Sequence, residues 1–479
     1  MTMVASTLKR IALLKKVLFF TACSLFIQVK TYSFSDPKPI SVDSLRYGKF
    51  GKLTMYHPNG TPNSLVLFVS GDGGWQSGVL SMARYLAYQG ALVAGIDAKY
   101  FAASMAKDKG SCSYPAADFE QLSMMLQRKY HFATYQKPIL VGYSYGAVFI
   151  YGLIAQAPAG TFKGGISLGF CPDIDLKKPF CKGSGLLYHV LKEGKSYYFD
   201  RVEKLPAPFI VLNGVKDQTC PYDATASFLK GIKNVELITL PKVGHGFSYT
   251  GNWLPQFKQA YGKLSVNPAK VLPASLKTDL PIDVIEPKIV ANKELLFFIS
   301  GDGGWTSFDQ GIANAFADKG VSVIGLDSQK YFWNARTPEE TATKIAEIAQ
   351  YYLQYKEIKS FHIMGYSFGA CVAPFIANKL PESLREKLSG ITLLSPDTKG
   401  DFEIHVADMF SLGGNNDPYD VLKEMELSHS VKRLCLFGSD EDSDITNSFR
   451  KTGAKVEILP GGHHFDNAYT SIVNKVLEN

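Results

Sequence analysis

The sequence predicts an α/β protein built twice along one chain, each unit a mostly parallel sheet with helices on both faces. Three observations predict it. The string "SGDGGW" stands at residues 70–75 and again at 300–305. Later motifs repeat in the same order: "GIDAKYF" (95–101) answers "GLDSQKYF" (325–332), and "GYSYGA" (142–147) answers "GYSFGA" (365–370). Finally, short apolar runs of strand length alternate with helical patterns, as expected of parallel strands covered on both faces. The spacing between copies shrinks from 230 residues at the first motif to 223 at the serine, so the order is kept while loops differ.

The elements follow in chain order. Residues 1–34 read as an export signal: Lys9, Arg10, Lys15 and Lys16 precede an uncharged run at 17–29 that is short for a membrane span. Cleavage is expected near 30–35; "FTAC" ending at Cys23 is a poor lipoprotein box because of Phe20. The first unit spans 40–262, with strands expected at 65–69, 91–96, 139–141, 209–212 and 235–239. Residues 263–284 hold several prolines and no helical period, and read as a linker running into the opening strand of the second unit, 285–479. A helix is expected at 340–355.

Bulk composition excludes several classes. Hydrophobic residues at 46% and charged residues at 20% are those of a folded chain, not a disordered one. The net charge of +7 is spread without a basic block, so no nucleic-acid partner is expected. No Cys or His spacing resembles a metal site. Cys112, Cys171, Cys181 and Cys220 could form two disulfides after export, with three possible connectivities. Cys371 and Cys435 fall at helix and strand positions, where buried thiols are expected.

The chemistry is expected just after the apolar runs, at the carboxyl ends of the strands. "GYSYG" (142–146) and "GYSFG" (365–369) are G-x-S-x-G, a strand–turn–helix elbow that lifts a serine above the sheet. Each follows a strand and precedes a helix, so the fold expected is two tandem α/β-hydrolase-like domains with Ser144 and Ser367 as nucleophiles. A serine needs a base, and the base an acid, in the chain order Ser, acid, His. The first unit offers Asp217 and His245. The second offers Asp442 or Glu441, and His464 or His463. Counting from the preceding proline favours His464. Counting from the preceding glycine sets Glu441 opposite Asp217, with Asp442 one step on and preferred. "SGDGGW" lies where such folds place an oxyanion loop, so amides of Gly73 and Gly303, with those of Tyr145 and Phe368 after the serines, are the expected donors.

The second unit, with "SGDGGW", "KYFW", "GYSFGA", "SPDTKGDFEIHV" and "LPGGHHFD", closely resembles the AcvB/VirJ family of bacterial virulence proteins. The two-copy arrangement behind an export signal resembles the AcvB form, and VirJ is like the second copy alone. The resemblance implies a periplasmic α/β-hydrolase that releases lysine from lysyl-phosphatidylglycerol at the membrane surface, with no cofactor, and with Ser367 and His464 at the family's elbow and histidine positions. It also implies a competing role, a periplasmic binding or chaperone protein linked to type IV secretion. A general lipase or thioesterase would share every catalytic residue. Cys371 departs from the acidic residue expected after "GYSFGA". A cationic acyl group would favour carboxylates, and the loop 395–410 supplies Asp397, Asp401, Glu403 and Asp408. The equivalent stretch of the first unit carries Lys177, Lys178 and Lys182 instead, so the second unit is expected to dominate hydrolysis of such an ester.

Overall fold

A computed structural model describes residues 40–266, 278–289, 293–355, 358–405 and 418–479. The predicted export segment, Cys23, residues 267–277 of the predicted linker and Asp408 lie outside the described residues. Residues 40–479 form one compact unit carrying two large sheets.

The first sheet uses β1 (Ser41–Tyr47), β2 (Gly51–His57), β3 (Ser64–Val69), β4 (Ala91–Ile96), β5 (Ile139–Tyr143) and β6 (Gly164–Leu168). A separate antiparallel sheet of β7 (Asp173–Asp175), β8 (Tyr188–Lys192) and β9 (Ser196–Phe199) is inserted before β10 (Lys204–Gly214) and β11 (Lys233–Leu240) complete the main one. Its order is β1-β2-β4-β3-β5-β6-β10-β11, antiparallel at the β1–β2 and β2–β4 edges and parallel from β4 onward. The second sheet uses β12 (Ile282–Ile285), β13 (Glu294–Ile299), β14 (Ser322–Leu326), β15 (Ser360–Tyr366) and β16 (Leu388–Leu394). A short ribbon of β17 (Lys399–Gly400) and β18 (Tyr419–Asp420) precedes β19 (Lys432–Gly438) and β20 (Lys455–Leu459). Its order, β12-β14-β13-β15-β16-β19-β20, repeats the first with one antiparallel edge strand where the first has two.

Burial explains the sequence pattern. "SLVLFV" of β3 and "ALVAGI" of β4 are buried at every residue, because helices cover both faces. The edge strand β1, by contrast, is mostly exposed. The helix Tyr145–Gln156 is buried from Gly146 to its end, since it lies in the core behind the elbow. Each sheet therefore has one apolar core on each face.

Some elements differ from expectation. The β1–β2 hairpin and the inserted three-stranded sheet are additional to the expected strands: β1 is mostly exposed, and β7–β9 are only three to five residues long. The helix Leu254–Ser265 runs past residue 262, and β12 begins at Ile282 inside the predicted linker. The helix Pro338–Tyr355 matches the expected periodicity. The disulfides are Cys112–Cys181 and Cys171–Cys220, one of the three connectivities. Cys371 and Cys435 are buried thiols outside any disulfide, and burial pushes the Cys435 thiol up.

The halves meet along the helix Pro115–Lys129 and the segment after it. Met124, Tyr135 and Trp333 form a small apolar cluster there, and Trp333 Nε1 donates to the Phe132 carbonyl at 3.1 Å. Glu120 sits near this junction. Burial, then the nearby charge of Asp302, raise its carboxyl to about 7, while Lys137 opposes them. A folded-state value above the unfolded one of about 4.3 means that the folded protein binds the extra proton, so stability falls as pH rises between those values. Glu120→Gln should therefore raise thermal stability at pH 8 by about 2 kcal/mol and change little at pH 4.5, read as melting temperature at each pH.

Candidate active site

Both serines sit in the same strained backbone. Ser144 has φ 54° and ψ −115°, and Ser367 has φ 53° and ψ −116°. A non-glycine residue held there costs of order 1–3 kcal/mol and marks a functional turn. The surrounding glycines permit it. A methyl on Gly142 would strike the Gly146 carbonyl, and one on Gly146 would strike the Val69 carbonyl. Gly365 and Gly369 meet the Gly369 and Ile299 carbonyls in the same way. Spelling G-x-S-x-G is therefore a packing requirement in both halves.

The loop after the first parallel strand is equally constrained. Ser70 Oγ accepts from the Ala98 amide at 3.1 Å, and Ser300 Oγ from the Ser328 amide at 3.0 Å, tying "SGDGGW" to the start of the next helix. Asp97 and Asp327 cap those helices. The Trp75 and Trp305 rings occupy the space that a side chain at Gly95 or Gly325 would need. This is why "SGDGGW" and "GID" or "GLD" are repeated together.

In the first half the catalytic order is fully connected. Ser144 Oγ lies 2.8 Å from His245 Nε2, and His245 Nδ1 lies 2.9 Å from Asp217 Oδ2. The Asp217 side chain is buried, and its other oxygen accepts from the Thr219 and Cys220 amides. The Cys171–Cys220 disulfide thus anchors the acid loop to the residues following β6. Tyr143 donates to the His245 carbonyl at 2.9 Å and steadies the histidine loop.

In the second half the geometry corrects two preferences. The acid is Glu441, not Asp442, and its partner is His463, not His464. Glu441 Oε1 lies 2.7 Å from His463 Nδ1, and Oε2 accepts from the Ser395 hydroxyl at 2.8 Å and the Gly438 amide at 2.7 Å. Burial opposes its ionisation, but these hydrogen bonds outweigh it and hold the carboxyl below its ordinary value. Asp442 instead caps the helix Ser443–Lys451 by accepting from the Asp444 amide. His464 packs its ring on Phe308 and Tyr366, and desolvation there, together with neighbouring His463, lowers its imidazole pKa. The proline count failed because the turn between the last strand and the histidine is one residue shorter in the second half. The better anchor is the phenylalanine behind it: Phe247 and Phe465 are both buried at positive φ, two residues after His245 and His463.

Ser367 and His463 line one cavity of about 580 Å³. Among the described residues Ser367 Oγ makes no hydrogen bond to His463, whose side chain is 46% exposed against 21% for His245. Tyr366, the counterpart of Tyr143, leaves its hydroxyl unpartnered. The described side-chain hydrogen bond of the second histidine is to Glu441, with the Tyr366 and His464 rings packed beside it. Free enzymes often hold such contacts loosely and tighten them on substrate. The cavity wall carries Asp302, Asp397, Asp401, Glu403, Asp440, Glu441 and Asp442 against one lysine, Lys399, which pairs with Asp420. Of the four loop carboxylates expected to suit a cationic acyl group, Asp397, Asp401 and Glu403 are in this wall, and the latter two have partners: Asp401 with His405 at 2.7 Å, Glu403 with Arg128 at 3.5 Å.

In the loop expected to form the oxyanion hole, the Gly303 amide donates to its neighbour's carboxylate, Asp302 Oδ1, at 3.0 Å. A tight turn runs from the Gly74 amide to the Gly71 carbonyl and from the Gly304 amide to the Gly301 carbonyl. Gly71 and Gly301 come close to the serines: an added methyl there would lie 3.4 Å from Ser144 Cβ and 3.6 Å from Ser367 Cβ. Tyr145 and Phe368 open their helices, where first-turn amides have no intrahelical acceptor. Among the described residues no cluster of three or more His, Cys, Asp or Glu could hold a metal ion, and no helix is long and apolar enough to cross a membrane.

Two parallel-sheet halves, each with a strained serine followed by an acid–histidine pair in Ser, acid, His order, define a chain of α/β-hydrolase fold. It belongs to the family of bacterial virulence protein VirJ. The family match covers residues 63–162 and 293–479, 100 plus 187 of 479 residues. In the first half it ends before Asp217 and His245; in the second it takes in the whole site. No curated protein matches the chain. Among solved structures it is similar to an esterase domain from a Rhodothermus marinus protein (15% identity, 47% of this chain and 98% of that one, TM-score 0.32). It is also similar to an alpha-beta serine hydrolase homologue from Coxiella burnetii (15%, 47% and 97%, TM-score 0.33).

Two predictions follow from the acid loops. Glu441→Gln and His463→Ala should each slow fluorophosphonate labelling of Ser367 by roughly 10³-fold, while Asp442→Asn and His464→Ala stay within about threefold. The Cys171→Ser/Cys220→Ser double variant should slow labelling of Ser144 by roughly tenfold and leave Ser367 unaffected, because only Asp217 is held by that bridge.

Proposed function

We propose that the chain is a periplasmic serine hydrolase that cleaves the aminoacyl ester of an aminoacylated phospholipid, with lysyl-phosphatidylglycerol the preferred substrate, and that Ser367 carries the reaction. The observation that carries this reading is the carboxylate-lined cavity around Ser367 and His463. An aminoacyl ester presents an ammonium group beside its carbonyl, and a cavity rich in carboxylates stabilises that charge. The resemblance of the second half to the AcvB/VirJ family supports the same substrate, and the export signal expected at residues 1–34 supports the same compartment.

The chemistry uses only side chains and water. His463, with Nδ1 held by Glu441, turns Nε2 to Ser367 and takes its proton as Oγ attacks the ester carbonyl. The developing oxyanion is met by the Phe368 amide and the backbone at Gly301. His463 returns the proton to the departing glycerol oxygen. Water, deprotonated by the same histidine, then releases the amino acid and regenerates the serine.

The first half supports a second ester-hydrolase site, since Ser144, His245 and Asp217 are hydrogen-bonded in sequence. Its distinct surroundings argue for another acyl group. A binding-only role at the second site is favoured by one observation, the missing Ser367–His463 hydrogen bond. The test is purified protein on lysyl-, alanyl- and unmodified phosphatidylglycerol. Ser367→Ala should abolish lysine release, and Ser144→Ala should keep at least half of it. Lysine release that survives Ser367→Ala but is lost in Ser144→Ala would overturn the assignment, and absence of fluorophosphonate labelling at both serines would favour the binder.

A further inference from the structure

The first half reaches into the wall of the second half's cavity. Arg128, near the end of the helix Pro115–Lys129, donates from Nη2 to the Ile404 carbonyl at 2.8 Å, and its Nη1 lies 3.5 Å from Glu403 Oε1. Its guanidinium plane lies 3.9 Å over the Trp333 ring. Glu403 and Ile404 both line the cavity that holds Ser367. Their backbone is fixed on the other side by the Phe332–Arg336 segment: the Ile404 amide donates to the Phe332 carbonyl at 2.9 Å, and the Arg336 amide to the Phe402 carbonyl at 3.0 Å. That segment is in turn held to the first half through Trp333, and through Asn334 Nδ2, which donates to the Ala133 carbonyl at 2.9 Å.

We infer that Arg128 is a positioning residue for the second active site, setting the cavity wall at Glu403 and Ile404 and thereby the affinity for the acyl group. The inference rests on the reading of Ser367 as the reacting serine. Arg128 touches no reacting atom. It fixes a wall that contacts substrate equally before and during reaction, so its loss should raise KM and spare kcat. A guanidinium suits the role because one flat fork serves a carbonyl and a carboxylate while stacking on an indole, which an ammonium cannot do.

The test is steady-state kinetics of the full chain on lysyl-phosphatidylglycerol in mixed micelles, beside fluorophosphonate labelling of each serine. Arg128→Ala should raise KM roughly tenfold with kcat within about twofold, and leave labelling of Ser144 and Ser367 near wild type. Arg128→Lys, which keeps the charge and the stem on Trp333, should raise KM by roughly threefold. If Arg128→Ala fails to fold, the lysine variant decides: a raised KM at unchanged melting temperature supports the inference. Unchanged KM in the folded variants overturns it, as does an equal loss of labelling at both serines, which would mean a general structural role. Ser367→Ala is run alongside. If it is inactive while Arg128→Ala keeps its KM, only this inference falls; if it still releases lysine, the site reading falls and takes this inference with it.

Discussion

The contact on which both halves depend is between bare backbone atoms. Gly146 and Gly369, the second residues of the helices behind the serines, lie against the carbonyls at the end of the first parallel strand, Val69 and Ser70 in one half and Ile299 and Ser300 in the other. That approach leaves no room for a side chain. It brings the elbow and the Gly-rich loop together, so the serine and the loop amides are positioned by the same packing. A strained serine persists because its neighbours leave it no alternative. The helix start and the Gly-rich loop are thereby held against each other.

The halves complete the shared frame differently. Asp217 is short, buried and bound by two amides of its own loop, beside a disulfide. Glu441 is one methylene longer and reaches its histidine from a site braced by Ser395 and the Gly438 amide. The first arrangement is closed and connected through to the serine. The second leaves the histidine open to a cavity. A connected relay and an open, carboxylate-lined cavity are different completions of one frame: the former holds the serine and histidine together, the latter leaves them apart.

Most of the frame was legible because repetition reports backbone requirements. β3, β4 and the elbows read directly, since buried parallel strands are continuous apolar runs and the elbow glycines are sterically compelled. Ser144, Asp217 and His245 could be read from order alone. Glu441 was obscured by Asp442, because an acid beside a helix start serves equally well as an N-cap. His463 was obscured by His464, because the count crossed a turn whose length had changed. The inserted sheet β7–β9 stayed hidden, its short strands lacking a sustained period.

Differences within a repeat carry information that the repeated residues do not. Aligned on Phe101 and Phe332, the motif reads "KYFA" in the first half and "KYFW" in the second, so Trp333 stands where the first half has Ala102. Ala102 packs into the first half's own core. Trp333, in the turn after the helix Ser328–Tyr331, instead buries against Tyr135 and Met124 of the other half, under the Arg128 guanidinium. A duplicated fold would by itself be symmetric, with each site independent. One indole breaks that symmetry in a single direction, since it ties the loop behind the second cavity to a helix of the first. Lys137, which donates to the Trp305 carbonyl at 3.3 Å, adds a second tie at the "SGDGGW" loop itself. The second half is thus held by packing from outside itself at the segment around Trp333, and one further contact, from Lys137, reaches the repeated string.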